Sequence, residues 1–486
     1  MNERMRIAGA AATILGMAVA VTAAVLSRAG VEPFATWLYQ FAWYGMLTAA
    51  AGAMAARDGR VPLTAGQAAS LLFWSIPFWY LFEAANFRLA NWYYVLVPPE
   101  LPVRWVGSAV AFATVIPALH LAHRWMLRAG LARDWRTGGF DLRPGVLRAT
   151  AGAGALFVAL ALWRPGIFFP LIWGALTLLL EPWNCRRDPG SSLLADLARG
   201  RPGRIVRLLA GGLVVGLVWE TVNASAAASW IYTVPGLEQG KLFEMPLPGY
   251  LGFPVLALDA FVAYRALAHL GLALPAWRQD DPGPEVEASA SAGASARAGG
   301  ATPGQGAEAS VAGRGRREGD EAERGGSGPG FRPGRAVAAG ILALALSAAI
   351  QAGVDYWTVD SCRSGLAGLP GVDGEEASAL RRAGIEEPAA LARLDSAAVA
   401  ARAGLPAAEA GAAVRAARLA RLRGLGAANA AVLWDTGIRS VCELAEAGQI
   451  EVARAVGAGR SGPRAGHRPR VRVWLAAARR GCPCGC

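Results

Sequence analysis

The chain has 486 residues, 54% of them hydrophobic and 17% charged, with a net charge of +12. Soluble chains carry about 25% charged residues, so this composition argues against an ordinary water-soluble enzyme. The six cysteines are too sparse for a disulfide framework. The positive charge is almost wholly arginine, with Lys241 the only lysine. It gathers largely in loops between apolar runs, where it sets membrane orientation and is not by itself a nucleic-acid footprint.

Eight apolar stretches precede residue 275, at 7–27, 34–56, 69–87, 104–124, 146–163, 166–183, 205–228 and 249–272. Most approach the roughly 20 residues needed to cross a bilayer. The first is too long for a signal peptide and reads as an anchor. Alternate loops carry the arginines: Arg4 and Arg6, then Arg57 and Arg60, then Arg124 to Arg143, then Arg186 to Arg204. This asymmetry predicts a cytoplasmic N-terminus in a bacterial-type inner (plasma) membrane. The third and seventh stretches then run outward. The stretch Ser191–Leu209 reads as an amphipathic segment on the inner surface.

The third and seventh stretches share a pattern. Phe82-Glu83 is followed by Asn86, Trp92, Tyr94 and Val97-Pro98; Trp219-Glu220 is followed by Asn223, Trp230, Tyr232 and Val234-Pro235. Stretches one to four match five to eight at an offset of roughly 130–145 residues, with Arg57-Asp58 and Arg187-Asp188 as a further matching pair. Four spans per half is an even number, so the pattern predicts a parallel repeat: half A over 1–137 and half B over 138–278.

Residues 279–334 are rich in Gly, Ala, Ser, Pro, Glu and Arg, and the composition predicts a disordered linker. A ninth apolar segment follows at 335–356. Residues 364–486 read as a soluble helical domain that repeats at 53 residues. Leu369-Pro-Gly371-Val-Asp373 with Ala377 and Leu380 matches Leu422-Arg-Gly424-Leu-Gly426 with Ala430 and Leu433. Over this last quarter the chain resembles the helix-hairpin-helix family, and the first copy departs from its motif with Asp373 where the second hairpin glycine belongs. The fold class expected is therefore all-α: a polytopic helical bundle of four plus four spans and a ninth helix, followed by a tandem helix-hairpin-helix domain.

A carboxylate in an apolar span is expensive and commonly functional. Glu83 and Asn86 share one helix face, as do Glu220 and Asn223. Brought together across a pseudo-two-fold axis, the two carboxylates would serve as a general acid and base. These four residues are the candidate catalytic groups. Trp92, Tyr94, Trp230, Tyr232 and Asp259 are the candidate substrate-binding groups, with His120 and His123 as further titratable side chains. The plainer reading makes Glu and Asn interhelical hydrogen-bond partners and the aromatic residues an interface belt.

The layout is similar to that of the small membrane lycopene cyclases, whose duplicated halves also carry intramembrane carboxylates. Their Pro-x-Glu-Glu motif is absent here, so the likeness is one of architecture. The reading that follows is an integral membrane protein acting on a lipid or isoprenoid. The alternatives are a noncatalytic membrane-anchored interaction or nucleic-acid-tethering protein, and a small-molecule transporter.

In the C-terminal domain, the resemblance implies that hairpin N–H groups at Gly424 and Gly426, with Arg423, would meet a phosphate or a partner. If the eighth and ninth segments both span, this domain lies outside the cell. That favours a protein partner over nucleic acid. The tail Cys482-Pro-Cys484-Gly-Cys486 has spacing for a soft metal with a further ligand, against the plainer reading of a frayed thiol tail. No phosphate loop, nucleophile triad or metal cluster stands at recognisable spacing, so neither cofactor nor metal is expected.

Overall fold

The computed structural model describes residues 2–234, 237, 240–277, 331–459 and 468–482. Almost all of their regular structure is helical. The chain opens with α1 (Asn2–Arg28) and α2 (Phe34–Asp58), packed antiparallel. Glycines make this contact possible. A Cβ on Gly45 would lie 2.6 Å from the Gly16 carbonyl oxygen, and one on Gly52 would lie 2.7 Å from that of Gly9. Small residues bring the two backbones into van der Waals contact, which drives helix association where no water is available to expel.

Next come α3 (Ala65–Leu89), the short strand β1 (Trp92–Val95), α4 (Leu101–Phe112) and α5 (Val115–Arg128). Thr64 and Gln67 form a capping box that starts α3. Between α4 and α5 the helix breaks, and Ser75 of α3 repairs the loss. Its hydroxyl donates to the Phe112 carbonyl at 2.5 Å and accepts from the Ile116 amide at 3.0 Å.

The following elements are α6 (Pro144–Trp163), α7 (Pro165–Phe168), a 3-10 turn (Phe169–Ile172), α8 (Ala175–Arg187), α9 (Leu193–Ala198) and α10 (Gly203–Ser225). Strands β2 (Ser229–Tyr232), β3 (Lys241–Leu242) and β4 (Met245–Pro246) lead to α11 (Gly252–His269). The main apolar core lies among α2, α3, α5, α10 and α11, around Trp43, Phe78, Ile116, Leu208, Trp219 and Phe261. At one end of this core Arg128 pairs with Asp58, and Arg265 pairs with Asp188 at 3.1 Å. A further long helix, α12 (Pro333–Trp357), runs parallel to α3. Gly340 meets Phe73, Gly353 meets Phe87, and the Tyr80 hydroxyl donates to Gln351 at 2.8 Å.

Eight described stretches are long and apolar enough to cross a membrane: Glu3–Arg28, Ala65–Leu89, Leu101–Arg128, Pro144–Trp163, Pro165–Arg187, Gly203–Ser225, Leu247–His269 and Pro333–Trp357. The expected span at 34–56 is not among them. It forms the 25-residue α2, but Gln40, Thr48 and its Trp and Tyr residues lower its apolarity. Two other expected spans are interrupted, at Ala113-Thr114 and again between Phe168 and Ala175.

Residues beyond α12 build a second core of their own around Leu366, Leu380, Val399, Leu419, Leu433, Leu444 and Trp474. The helices are α13 (Gly374–Arg382), α14 (Pro388–Leu391), α15 (Ser396–Ala403), α16 (Ala407–Ala420), α17 (Gly426–Asp435), α18 (Val441–Glu446), α19 (Gln449–Gly459) and α20 (Arg468–Gly481). Asp373, the departure from the hairpin pattern, is the N-cap of α13. It accepts from the Glu376 amide at 2.8 Å, while the Glu376 side chain accepts from the Asp373 amide at 2.9 Å. The sparse-cysteine expectation needs correction here. Cys442 and Cys482 form a disulfide that ties α18 to α20. Cys484, Cys486, Arg460, Arg464 and nearly all of the expected linker lie outside the described residues.

The glycine contacts make a prediction. Gly45→Val should force α1 and α2 apart and cost about 1–3 kcal/mol, the usual range for overpacking. Gly152→Val, on a face of α6 with no neighbour within 4 Å, should cost far less. Thermal unfolding of the two variants in detergent checks the contrast.

Candidate functional site

Strands β1 and β2 pair antiparallel, with Trp92 opposite Tyr232, Tyr93 opposite Ile231, Tyr94 opposite Trp230 and Val95 opposite Ser229. Side chains alternate across a strand. Trp92, Tyr94, Trp230 and Tyr232 therefore share one face of the ribbon, and Tyr93, Val95 and Ile231 share the other.

Each strand is held by the helix before it. The Asn86 side-chain amide donates to the Trp92 carbonyl at 2.9 Å, and its oxygen accepts from the Asn91 and Trp92 amides at 2.8 and 3.3 Å. Asn223 treats Trp230 the same way, donating to its carbonyl and accepting from its amide, both at 3.0 Å. One turn earlier on the same helix face, a glutamate takes the ring of that tryptophan. Glu83 Oε1 accepts from the indole N–H groups of Trp79 at 2.9 Å and Trp92 at 3.1 Å, and from the Tyr94 hydroxyl at 2.5 Å. Glu220 Oε1 accepts from the Tyr232 hydroxyl at 3.0 Å and the Trp230 indole at 3.3 Å. Both glutamates are 0% exposed, and among the described residues Oε2 of each has no hydrogen-bond partner. The spacing of Glu and Asn thus has a local cause: one residue fixes the tryptophan ring and the other fixes its backbone.

These rings wall a cavity of about 180 Å³. Trp37, Trp79, Trp92 and Tyr94 contribute from the first half of the chain, and Trp173, Trp219, Trp230 and Tyr232 from the second. Glu83 and Glu220 stand behind the rings and do not line it. Trp37 sits at a non-helical kink in α2, and Trp173 is extended just before Gly174, whose φ is +87°. Each of these tryptophans packs over a glycine. A Cβ on Gly107 would overlap the Trp37 ring, and one on Gly252 would lie 3.6 Å from the Trp173 ring.

Asp259 does not line this cavity. Its two oxygens accept from the Gly174 and Thr177 amides at 2.8 Å each and from the Thr177 hydroxyl at 2.6 Å, capping α8 where that stretch restarts. His120 is buried edge-on against the Trp277 ring at 4.7 Å, away from the cavity lining.

The outer face of the ribbon meets the C-terminal helices. The Tyr93 hydroxyl donates to the Gly424 carbonyl at 3.1 Å, and the Trp474 indole donates to the same oxygen at 2.6 Å. Gly426 abuts Ser361 so closely that a Cβ would overlap it. Arg423 is ion-paired with Glu244. The Gly424 carbonyl and the Arg423 side chain are thus engaged by this chain's own groups, and Ser361 fills the space beside Gly426. Nearby, Arg470 pairs with Asp360 and stacks 4.9 Å over the Tyr93 ring, and Asn429 donates to Asp360 at 2.6 Å. Backbone bonds from the Tyr94 amide to Thr358 and from the Asp360 amide to Tyr94, both 2.8 Å, extend the contact along β1.

Two more links join this unit to the rest of the chain. Asp355 receives Arg104 at 2.6 Å and the Trp105 indole at 2.5 Å. Arg363 pairs with Glu32. Burial raises the Glu32 carboxyl, but hydrogen bonds from Arg363 and Thr36 outweigh it and leave it below its ordinary value. This contact is therefore present above the ordinary carboxylate range and is lost as pH falls through the lowered value.

No family model, curated protein or solved structure matches the chain. The site is read from its geometry.

Sequence reasoning missed Trp37, Trp79, Trp173 and the two facing glycines. Trp79 precedes Glu83 by one helical turn, a pairing visible in the sequence. Trp37 and Trp173 stand within the offset that relates the two halves.

Removing an acceptor should cost more than changing it. Glu83→Leu leaves two indole N–H groups and one hydroxyl buried without an acceptor, at about 1–3 kcal/mol each. Glu83→Gln keeps a carbonyl oxygen in place and should be clearly milder. Thermal stability and tryptophan emission of the two variants test this; equal losses would argue that the hydrogen bonds contribute little.

Proposed function

We propose that this is a multi-pass membrane protein of two related halves, and that the aromatic cavity between them takes up an apolar or amphiphilic molecule of the lipid or isoprenoid class. The observation that carries the reading is the ring-lined cavity, with walls drawn from both halves and fixed by Glu83 and Glu220. A concave, mostly apolar cavity with a few fixed polar groups is the usual form of a small-molecule site. The matching treatment of Trp92 and Trp230 supports descent of the halves from one repeat, and so do the ion pairs at Asp58 and Asp188. A role as general acid and base would require Glu83 and Glu220 to reach the ligand, and both lie behind the rings. Positioning of the cavity wall is the role we assign them.

The arginine-rich loops support a cytoplasmic N-terminus, in a bacterial-type inner membrane. The C-terminal unit, which we read as a divergent tandem helix-hairpin-helix, then sits on the outer side over the ribbon. The Cys442–Cys482 disulfide supports that side, because such bonds persist in oxidising compartments. With Gly424, Gly426 and Arg423 already engaged, its partner is the membrane part of this same chain.

Two outcomes are expected. Protein purified in nanodiscs should retain a lipid-class molecule detectable by mass spectrometry, and Ala111→Trp, which fills the cavity, should deplete it at least tenfold. An unchanged lipid profile in that variant would refute the reading. Peptide mapping after alkylation without reductant should recover Cys442 and Cys482 as one linked pair; free thiols at both positions would argue for a cytoplasmic C-terminal unit.

A further inference from the structure

Resting on the cavity reading above, we infer that the end of the ligand entering the ring cluster carries a positive charge, of the quaternary or tertiary ammonium type. The inference comes from what stands behind the rings. Three donors converge on one oxygen of Glu83, and none reaches the other. An ionised carboxylate is the acceptor-only form of this side chain. At Glu220 the Tyr232 hydroxyl donates at 3.0 Å, and the Trp230 indole N–H is shared between Glu220 at 3.3 Å and the Tyr232 hydroxyl at 2.9 Å.

Five rings of the wall thus direct polar hydrogens to carboxylates, with Trp230 sharing its hydrogen with the Tyr232 hydroxyl. This adds electron density to the ring faces and strengthens their attraction for a cation. Indole is the best such face, and the interaction is strongest where water is excluded. The carboxylates add a direct attraction across a medium of low dielectric.

Among the described residues, the lining offers no cation to the two glutamates. Arg104 reaches the lining but is held by Asp355 at 2.6 Å. The Lys241 amine donates to the Tyr232 backbone carbonyl at 3.0 Å, at the outer edge of the ribbon. With both carboxylates ionised, the cavity is an apolar space with negative charge one ring deep on two sides. A neutral lipid tail would fill it without using that charge. A trimethylammonium group fills a similar volume and uses it.

The test compares two probes of one shape on the full-length protein in nanodiscs: decyltrimethylammonium and its uncharged carbon isostere, 2,2-dimethyldodecane. Binding is read from tryptophan emission. The ammonium should bind at least tenfold more tightly, equivalent to about 1.4 kcal/mol. Glu83→Gln and Glu220→Gln should each narrow the ratio. Equal binding of the two probes by the wild-type protein would overturn the inference and leave an apolar cavity standing. Binding of neither would sink the cavity reading itself. The wild-type comparison alone decides, so the outcome does not depend on either variant folding.

Discussion

A single oxygen atom of Glu83 carries the geometry of the cavity wall. It gathers Trp79 from its own helix and Trp92 and Tyr94 from the following strand. A helix and a strand meet at an angle that apolar contact alone leaves loose. Convergent hydrogen bonds to a buried carboxylate remove that freedom, because every donor has one place to go and no water to replace it. Asn86 and Asn223 fix the strand backbones in the same way, so the ribbon is pinned through both ring and main chain. A two-stranded ribbon is marginal by itself. Here it persists because each strand is tied to its own helix and the C-terminal helices cover its outer face.

That Glu83, Asn86, Glu220 and Asn223 would take hydrogen-bond partners was legible in the sequence, since polar groups of this kind in apolar stretches require them. The identity of those partners was only half legible. Trp92 and Tyr94 stood out by repetition, yet nothing local told that they would pair with Tyr232 and Trp230, because strand pairing joins residues far apart in sequence. The helix-capping bonds of Asp259 were not legible for a physical reason. A buried carboxylate looks the same in sequence whether it faces a ligand or caps a helix, and the break at Gly174 that needs the cap is hidden inside an apolar run. The hairpin glycines show the same limit. Their motif marks backbone that something approaches closely, and the approaching groups are Tyr93, Trp474 and Ser361 of this chain.

The helix interruptions belong with the cavity. Trp37 and Trp173 can turn inward because the backbone around them leaves helical geometry. Non-helical backbone at membrane depth is tolerated where protein buries it and satisfies its polar groups. Asp259 supplies that satisfaction beside Trp173, and Ser75 supplies it at the separate break after α4. The polar side chains of these helices are thus largely explained by the bonds that irregular backbone leaves open.

The pairing of Tyr93 with Ile231 sets a stoichiometry. If the halves descend from one repeat, their two-fold axis passes between these two residues. The inner face keeps matching Trp and Tyr on both strands, while the outer face differs, with a tyrosine that reaches Gly424 and an isoleucine that does not. A body seated on a two-fold axis can be present only once per pair of halves. Two separate identical chains would each bring a tail, and the second would find the position taken. Fusion of the halves into one polypeptide with a single tail removes that conflict and frees Tyr93 to diverge from Ile231.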